Sequence, residues 1–174
     1  MSLKIGKALS VILGDIYIQK GTRKFKAKVH YGDQYELNKW VGIQNSNKAS
    51  KYPLIYYALN KDYEESEGWV KSEITLILLT DAVYSEMNNK RVVESYEKML
   101  YPLVEKVEKI LLKNRNVLVY GGIKNRFRPI DEPLMGITNS EFEKMKTNAV
   151  QGVTTDVVDA LIIRFKAEIN TDCV

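Results

Sequence analysis

The stretch from Trp69 to Asn114 constrains this chain more than any other. Its first part, Val70 to Thr80, is an apolar run in which Ile74, Leu76 and Leu78 fall on one side of an extended chain and Thr75, Ile77 and Leu79 on the other, because side chains alternate along a strand. Both sides are apolar, so both need cover. After a turn-like break over Asp81 to Asn89, the residues Val92, Val93, Tyr96, Met99, Leu100, Leu103, Val104, Val107, Ile110 and Leu111 recur at three- and four-residue steps. Glu94, Lys98, Glu105, Lys106 and Lys109 take the opposite side. This is the pattern of an amphipathic helix lying on a sheet. Pro102 stands inside it; it removes one backbone hydrogen bond and crowds the carbonyl four residues back, which predicts a kink over Lys98 to Leu103.

Around that unit the other elements are shorter. Ser2 can cap a first helix with Ile5, Leu9 and Ile12 on its apolar side and Gly14 as its stop. From Ile16 the period falls to two: Phe25, Ala27 and Val29 alternate with Lys24, Lys26 and Lys28, the pattern of one strand with a basic face. Tyr31 to Ser50 is polar and reads as a loop, with room for a short strand around Trp40 to Ile43. Tyr52 to Leu59 is aromatic and branched enough for a strand, with Pro53 at its start, and Asp62 to Glu67 reads as an acidic exposed connection.

Beyond the long helix, Val117 to Tyr120 is extended and Gly121-Gly122 signals a turn. Lys124 to Leu134 reads as a loop or arm, and Thr138 to Ala149 as a short helix. The chain closes on a strand in which Leu161, Ile163, Phe165, Ala167 and Ile169 alternate with Ile162, Arg164, Lys166 and Glu168. The fold class expected is α+β. One domain spans 1–174, with an antiparallel or mixed β-sheet packed by one long kinked helix and a short N-terminal helix, and with extended loops or arms at 31–50 and 121–138. One long helix cannot cover both sides of Ile74 to Leu79, so the second side is expected to lie against a curled sheet or another protein surface, which points to oligomerisation.

Composition excludes more than it selects. With 45% hydrophobic and 28% charged residues and a net charge of +4, this is an ordinary globular composition, and no apolar run reaches the length of a membrane span. Met1 to Leu13 lacks a small-residue cleavage site after a solid apolar block and reads as a helix rather than a signal peptide. One cysteine, Cys173, and one histidine, His30, cannot build a zinc site, which needs about four such ligands. His30 reads as a surface histidine and Cys173 as an exposed tail thiol.

No Gly-x-Ser-x-Gly elbow, Cys/His pair or phosphate-binding glycine loop is present. Glu64 with Glu65 and Asp131 with Glu132 sit in polar stretches, where nothing raises a carboxyl pKa to catalytic use. The residues therefore point away from an enzyme: no catalytic residue, cofactor or metal ligand is expected. Two basic strips are the candidate contacts, Lys24, Lys26 and Lys28 in one strand and Lys124, Arg126 and Arg128 with Phe127 between them. Such strips hold phosphates, and they equally guard edge strands against sticking. Eleven tyrosines add side chains suited to interfaces and to cores alike.

Four segments bear a family resemblance: Tyr52-Pro53-Leu54-Ile55-Tyr56, the strand Glu73 to Thr80, the helix Tyr96 to Val107 with Leu100-Tyr101-Pro102-Leu103 at its centre, and Asp156-Val157-Val158-Asp159-Ala160-Leu161 running into the last strand. In pattern and order, over Tyr52 to Ile169, the chain resembles the tail-terminator or tail-completion proteins of tailed bacteriophages. The resemblance implies a structural virion protein without cofactor, assembled in the bacterial host cytoplasm and located at the tail or neck. It implies a homohexameric ring at the head–tail junction that ends tube polymerisation and meets tail-tube and head-connector proteins, with DNA passing through the channel. Tyr31 to Ser50 and Lys124 to Thr138 are longer than in a minimal member, so a head-completion or tube-adjacent place fits the same pattern. The rival from another class is a nucleic-acid-binding accessory protein using both basic strips; a carboxylate-dependent metal enzyme is a third reading.

Overall fold

A computed structural model of the chain describes residues 3–33, 35–37, 40, 51–60, 62–82, 90, 92–126 and 158–172. The predicted helix at Thr138 to Ala149, the possible strand beyond Trp40 and most of the arm after Arg126 lie outside these residues. The fold is α+β. Helix α1 (Leu3–Ile12) is followed by β1 (Tyr17–Lys20), β2 (Arg23–Lys26), β3 (Lys28–Gly32), β4 (Leu54–Ala58), β5 (Tyr63–Ser66) and β6 (Trp69–Asp81). A helical run of residues 92–113 comes next, then β7 (Val117–Arg126) and β8 (Val158–Asn170).

The main sheet runs β3-β4-β6-β8-β7, with β5 added beside the first residues of β6, while β1 and β2 form a separate hairpin. Strands β3 and β4 pair in parallel, and every other ladder in the sheet is antiparallel. The two long alternating segments of the sequence are its centre: β6 pairs with β8 from Trp69↔Asn170 to Asp81↔Val158.

Three sequence expectations change. The strand expected over Phe25 to Val29 is broken at Ala27, so Lys24 and Lys26 belong to the hairpin and Lys28 to the main sheet. The Ala27 amide donates to the Ile16 carbonyl (2.8 Å) and the Lys28 amide to the Pro53 carbonyl (2.8 Å), so the chain changes sheets between these two residues. The acidic connection is strand β5, exposed throughout, turning into β6 at Glu67 and Gly68, which both take positive φ. Its composition reports solvent exposure, and exposure does not exclude pairing along one edge. Gly121 and Gly122 lie within β7 rather than ending it; both have positive φ, and they absorb the register shift between Tyr120 and Lys124.

Residues 92–100 wind as a π-helix and Tyr101–Lys113 as an α-helix, here α2. The change falls inside the stretch where Pro102 was expected to bend the helix. The backbone of Leu100 stays helical (φ −74°, ψ −44°), and Pro102 sits in the first turn of α2, where its missing N–H is tolerated. The wider winding explains why Val92 and Val93 are exposed although a 3.6-residue period puts them on the apolar side. From Tyr96 onward the pattern holds: Tyr96, Met99, Leu100, Leu103, Val104, Val107 and Leu111 are buried.

Two cores follow from the two faces of β6. Ile74, Leu76 and Leu78 join the helices and Leu161, Ile163, Phe165, Ala167 and Ile169 of β8 in the larger one. Ile77 and Leu79 join Leu54, Tyr56, Val158 and Ala160 under Leu37, Tyr52 and Trp40 in the smaller one. The second side of the central strand, expected to need a curled sheet or a neighbour, is thus covered by the chain's own residues: Leu79 is 0% exposed and Ile77 4%.

A local motif positions that cover. The Glu36 amide donates to the Asp33 carboxylate (2.9 Å) and the Asp33 amide to the Glu36 carboxylate (3.2 Å), a reciprocal cap at the start of the helical turn 35–37. The Tyr56 hydroxyl donates to the Asp33 carbonyl (2.9 Å), tying the turn to β4. Burial, with Glu36 and Asp33 nearby, pushes the Tyr56 hydroxyl well above its ordinary pKa of 10.0. A raised folded-state value stabilises the fold below about pH 10 and loses that contribution as pH rises further. Denaturation midpoints are therefore expected to fall above pH 10, and to fall less steeply in Tyr56→Phe.

Candidate functional site

The first basic strip is split between two sheets, whereas two members of the second share one strand. Lys24 and Lys26 are exposed on β2 and both lie over the Tyr17 ring, at 4.5 and 5.7 Å from its centre. Lys26 is also paired with Asp15 (3.0 Å), whose hydrogen bond and charge raise the lysine pKa. Lys28 is half-buried at the start of β3. Lys124 and Arg126 lie in β7 opposite Arg164 and Ile162, and Arg128 is outside the described residues.

What the fold does assemble is a different basic cleft. The β1–β2 hairpin sits beside α2, and a hollow of about 300 Å3 between them is lined by Asp15, Ile16, Tyr17, Lys24, Lys106, Lys109 and Ile110. Lys106 donates to the Tyr17 carbonyl and fixes the hairpin on the helix. The i, i+3 spacing of Lys106 and Lys109 was legible as one helix face. That this face meets Lys24 was not, because the contact joins segments more than eighty residues apart. With Asp15 as the one acid in its lining, the hollow suits an anion held by charge rather than a reacting group.

A second hollow, of about 600 Å3, opens on the exposed face of the sheet where Gly121 and Gly122 bulge out of β7. Glu73, Tyr120, Arg164, Phe165 and Lys166 complete its lining. Register puts alternating charges on this face: Glu64, Lys71 and Glu168 in one row, Glu73 and Lys166 in the next. Lys71 approaches Glu168 (3.9 Å), and the Tyr120 hydroxyl bonds to the Glu168 carboxylate, which raises the tyrosine pKa. Arg164 and Lys166 are exposed and make no ion pair among the described residues.

His30, expected at the surface, is half-buried against Trp40, with ring centres 3.9 Å apart and the planes tilted by 40°. Burial and then the charge of Lys28 lower its pKa below 6.5. The fold prefers the neutral ring, so its contribution is complete above pH 6.5 and is lost as pH falls toward the folded-state value. Acidification from pH 7 to 5 is expected to lower the melting temperature less in His30→Gln than in the natural chain.

Among the described residues no three His, Cys, Asp or Glu side chains converge as a metal site, and no helix is long and apolar enough to cross a membrane. Compared with known proteins, the chain matches no family model, no curated protein and no solved structure.

Proposed function

We propose that this chain is a structural subunit of a tailed-bacteriophage virion, a tail terminator or tail-completion protein that works as a homo-oligomeric ring where the tail meets the head. One observation carries the reading. The segments that bear the resemblance, distant in sequence, are spatial neighbours: Tyr52 to Tyr56 leads into β4, β4 pairs with β6, β6 with β8, and residues 96–107 lie on the same sheet within the larger core. The resembling segments therefore adjoin in one sheet and core rather than lying scattered. Their surroundings suit a building block, with edge strands that have no outer partner among the described residues and surface hollows lined by charge.

The apolar second face no longer argues for a neighbour, so the ring rests on these adjoining segments and on the sheet edges. The test is native mass spectrometry with negative-stain microscopy of the purified chain. A closed ring, six-fold for the family it resembles, is the expected result; a monomer at all concentrations up to about 100 μM, well above the roughly micromolar range of modest associations, would sink the reading.

The cleft of Lys24, Lys106 and Lys109 favours a second reading, a nucleic-acid-binding accessory protein. Under it, DNA affinity falls steeply with salt, and each neutralised phosphate contact lowers the slope of log affinity against log salt by about 0.9. Lys24→Ala with Lys109→Ala separates the readings: a slope reduced by about 2 supports nucleic-acid binding, whereas unchanged weak binding leaves the ring.

A further inference from the structure

The sheet has two open sides at the end where β5 joins it. Strand β5 pairs with β6 on one side of the sheet, β7 pairs with β8 on the other, and neither has an outer partner among the described residues. The two edges differ in charge. Residues 62–67 carry Asp62, Glu64, Glu65 and Glu67 and no base, whereas β7 carries no acid, and its two bases, Lys124 and Arg126, lie beyond the glycine bulge.

Val117 to Ile123 has no charge and no proline at all, although a solvated edge strand is ordinarily guarded by one or the other. Leu118 and Tyr120, on one face of that segment, are 47% and 44% exposed, and Tyr63 on β5 is 40% exposed. Register places Glu64 on the same sheet face as Leu118, Tyr120, Arg164 and Lys166.

We propose that the outer edge of β7 takes strand β5 of a second copy of this chain, so that one sheet runs on from subunit to subunit. The proposal rests on the ring reading above and names the surfaces that build it. Backbone groups on both edges that have no partner among the described residues supply the ladder, and the charges choose the partner. Pairing β5 with β5 sets acid against acid, whereas pairing β5 with β7 brings Glu64 toward Lys166 and Arg164. Such a contact is head-to-tail, and repeated rotation closes it into a ring.

The test uses exposed positions, so that the fold is left intact. Leu118→Lys with Tyr120→Lys disables the β7 edge, and Glu64→Lys with Ser66→Lys disables the β5 edge; circular dichroism checks folding and light scattering reads mass. Each double variant alone is expected to associate at least tenfold more weakly than the natural chain. Mixed in equal amounts, the two are expected to form a one-to-one dimer and nothing larger, because one intact edge of each kind remains.

A ring that persists in either variant overturns the edge proposal and leaves the ring reading standing. Loss of assembly in the β7 variant alone means that like edges pair, and also overturns it. Glu64→Cys with Leu118→Cys, on a Cys173→Ser background, separates the remaining cases. Cross-linked open filaments support the edge contact while ending the ring reading, and a monomeric protein without cross-links ends both.

Discussion

Replacing Leu79 by aspartate is expected to unfold the chain at every protein concentration. Leu79 is 0% exposed, on β6 between Leu54 of β4 and Ala160 of β8, in a cluster closed by Leu37, Tyr52 and Tyr56. Losing the leucine packing costs about 2–5 kcal/mol, and burying a carboxylate among apolar side chains costs several more. Domains are stable by only about 5–15 kcal/mol, so little is left. Leu79→Ala gives the graded version, a loss of about 3 kcal/mol in urea denaturation that does not change with protein concentration. The concentration dependence decides the matter. Were this face an interface between copies, the variants would stay folded as monomers and fail only to assemble, which would restore the apolar face as an argument for the ring.

That the second face is closed from within was hidden in the sequence for a definable reason. Asp33-Gln34-Tyr35-Glu36 has the spacing of a helix cap, yet it lies in a polar stretch with no apolar period after it, so Tyr31 to Ser50 read as loop. The cap became visible only through the Asp33 and Glu36 hydrogen bonds that set Leu37 above β6. Strand β6 was legible as a short, branched apolar run over Val70 to Thr80, and β8 because its alternation over Leu161 to Ile169 leaves no other period that fits. The helix was legible from Tyr96 onward for the same reason.

The hairpin was not legible. Phe25, Ala27 and Val29 alternate without interruption, and the change of sheet at Ala27 is made by long-range backbone bonds to Ile16 and Pro53 that leave no local trace. The basic cleft and the two open edges share that cause: each joins residues far apart in the chain. Spacing finds the lysines and the acids but not which of them face one another.

Phe165→Ala is expected to lower stability by about 3–5 kcal/mol, since it removes a large ring from a core that cannot fully collapse around the gap. Phe165 is 4% exposed in the cluster of Ile74, Leu103 and Val107, on the strand that joins β6 to β7. For a chain of 174 residues the melting temperature should fall by about 10 °C. Arg164, one residue earlier, points the other way into water; Arg164→Ala should change stability by no more than about 0.5 kcal/mol. The pair tests the alternation of β8 at adjacent positions, with thermal melts followed by circular dichroism. Equal losses at both would show that the strand is not seated as described. The expected contrast leaves Arg164→Ala a folded protein whose outer face has lost a charge, so any weakening of its assembly reports on the contact between copies and not on the core beneath it.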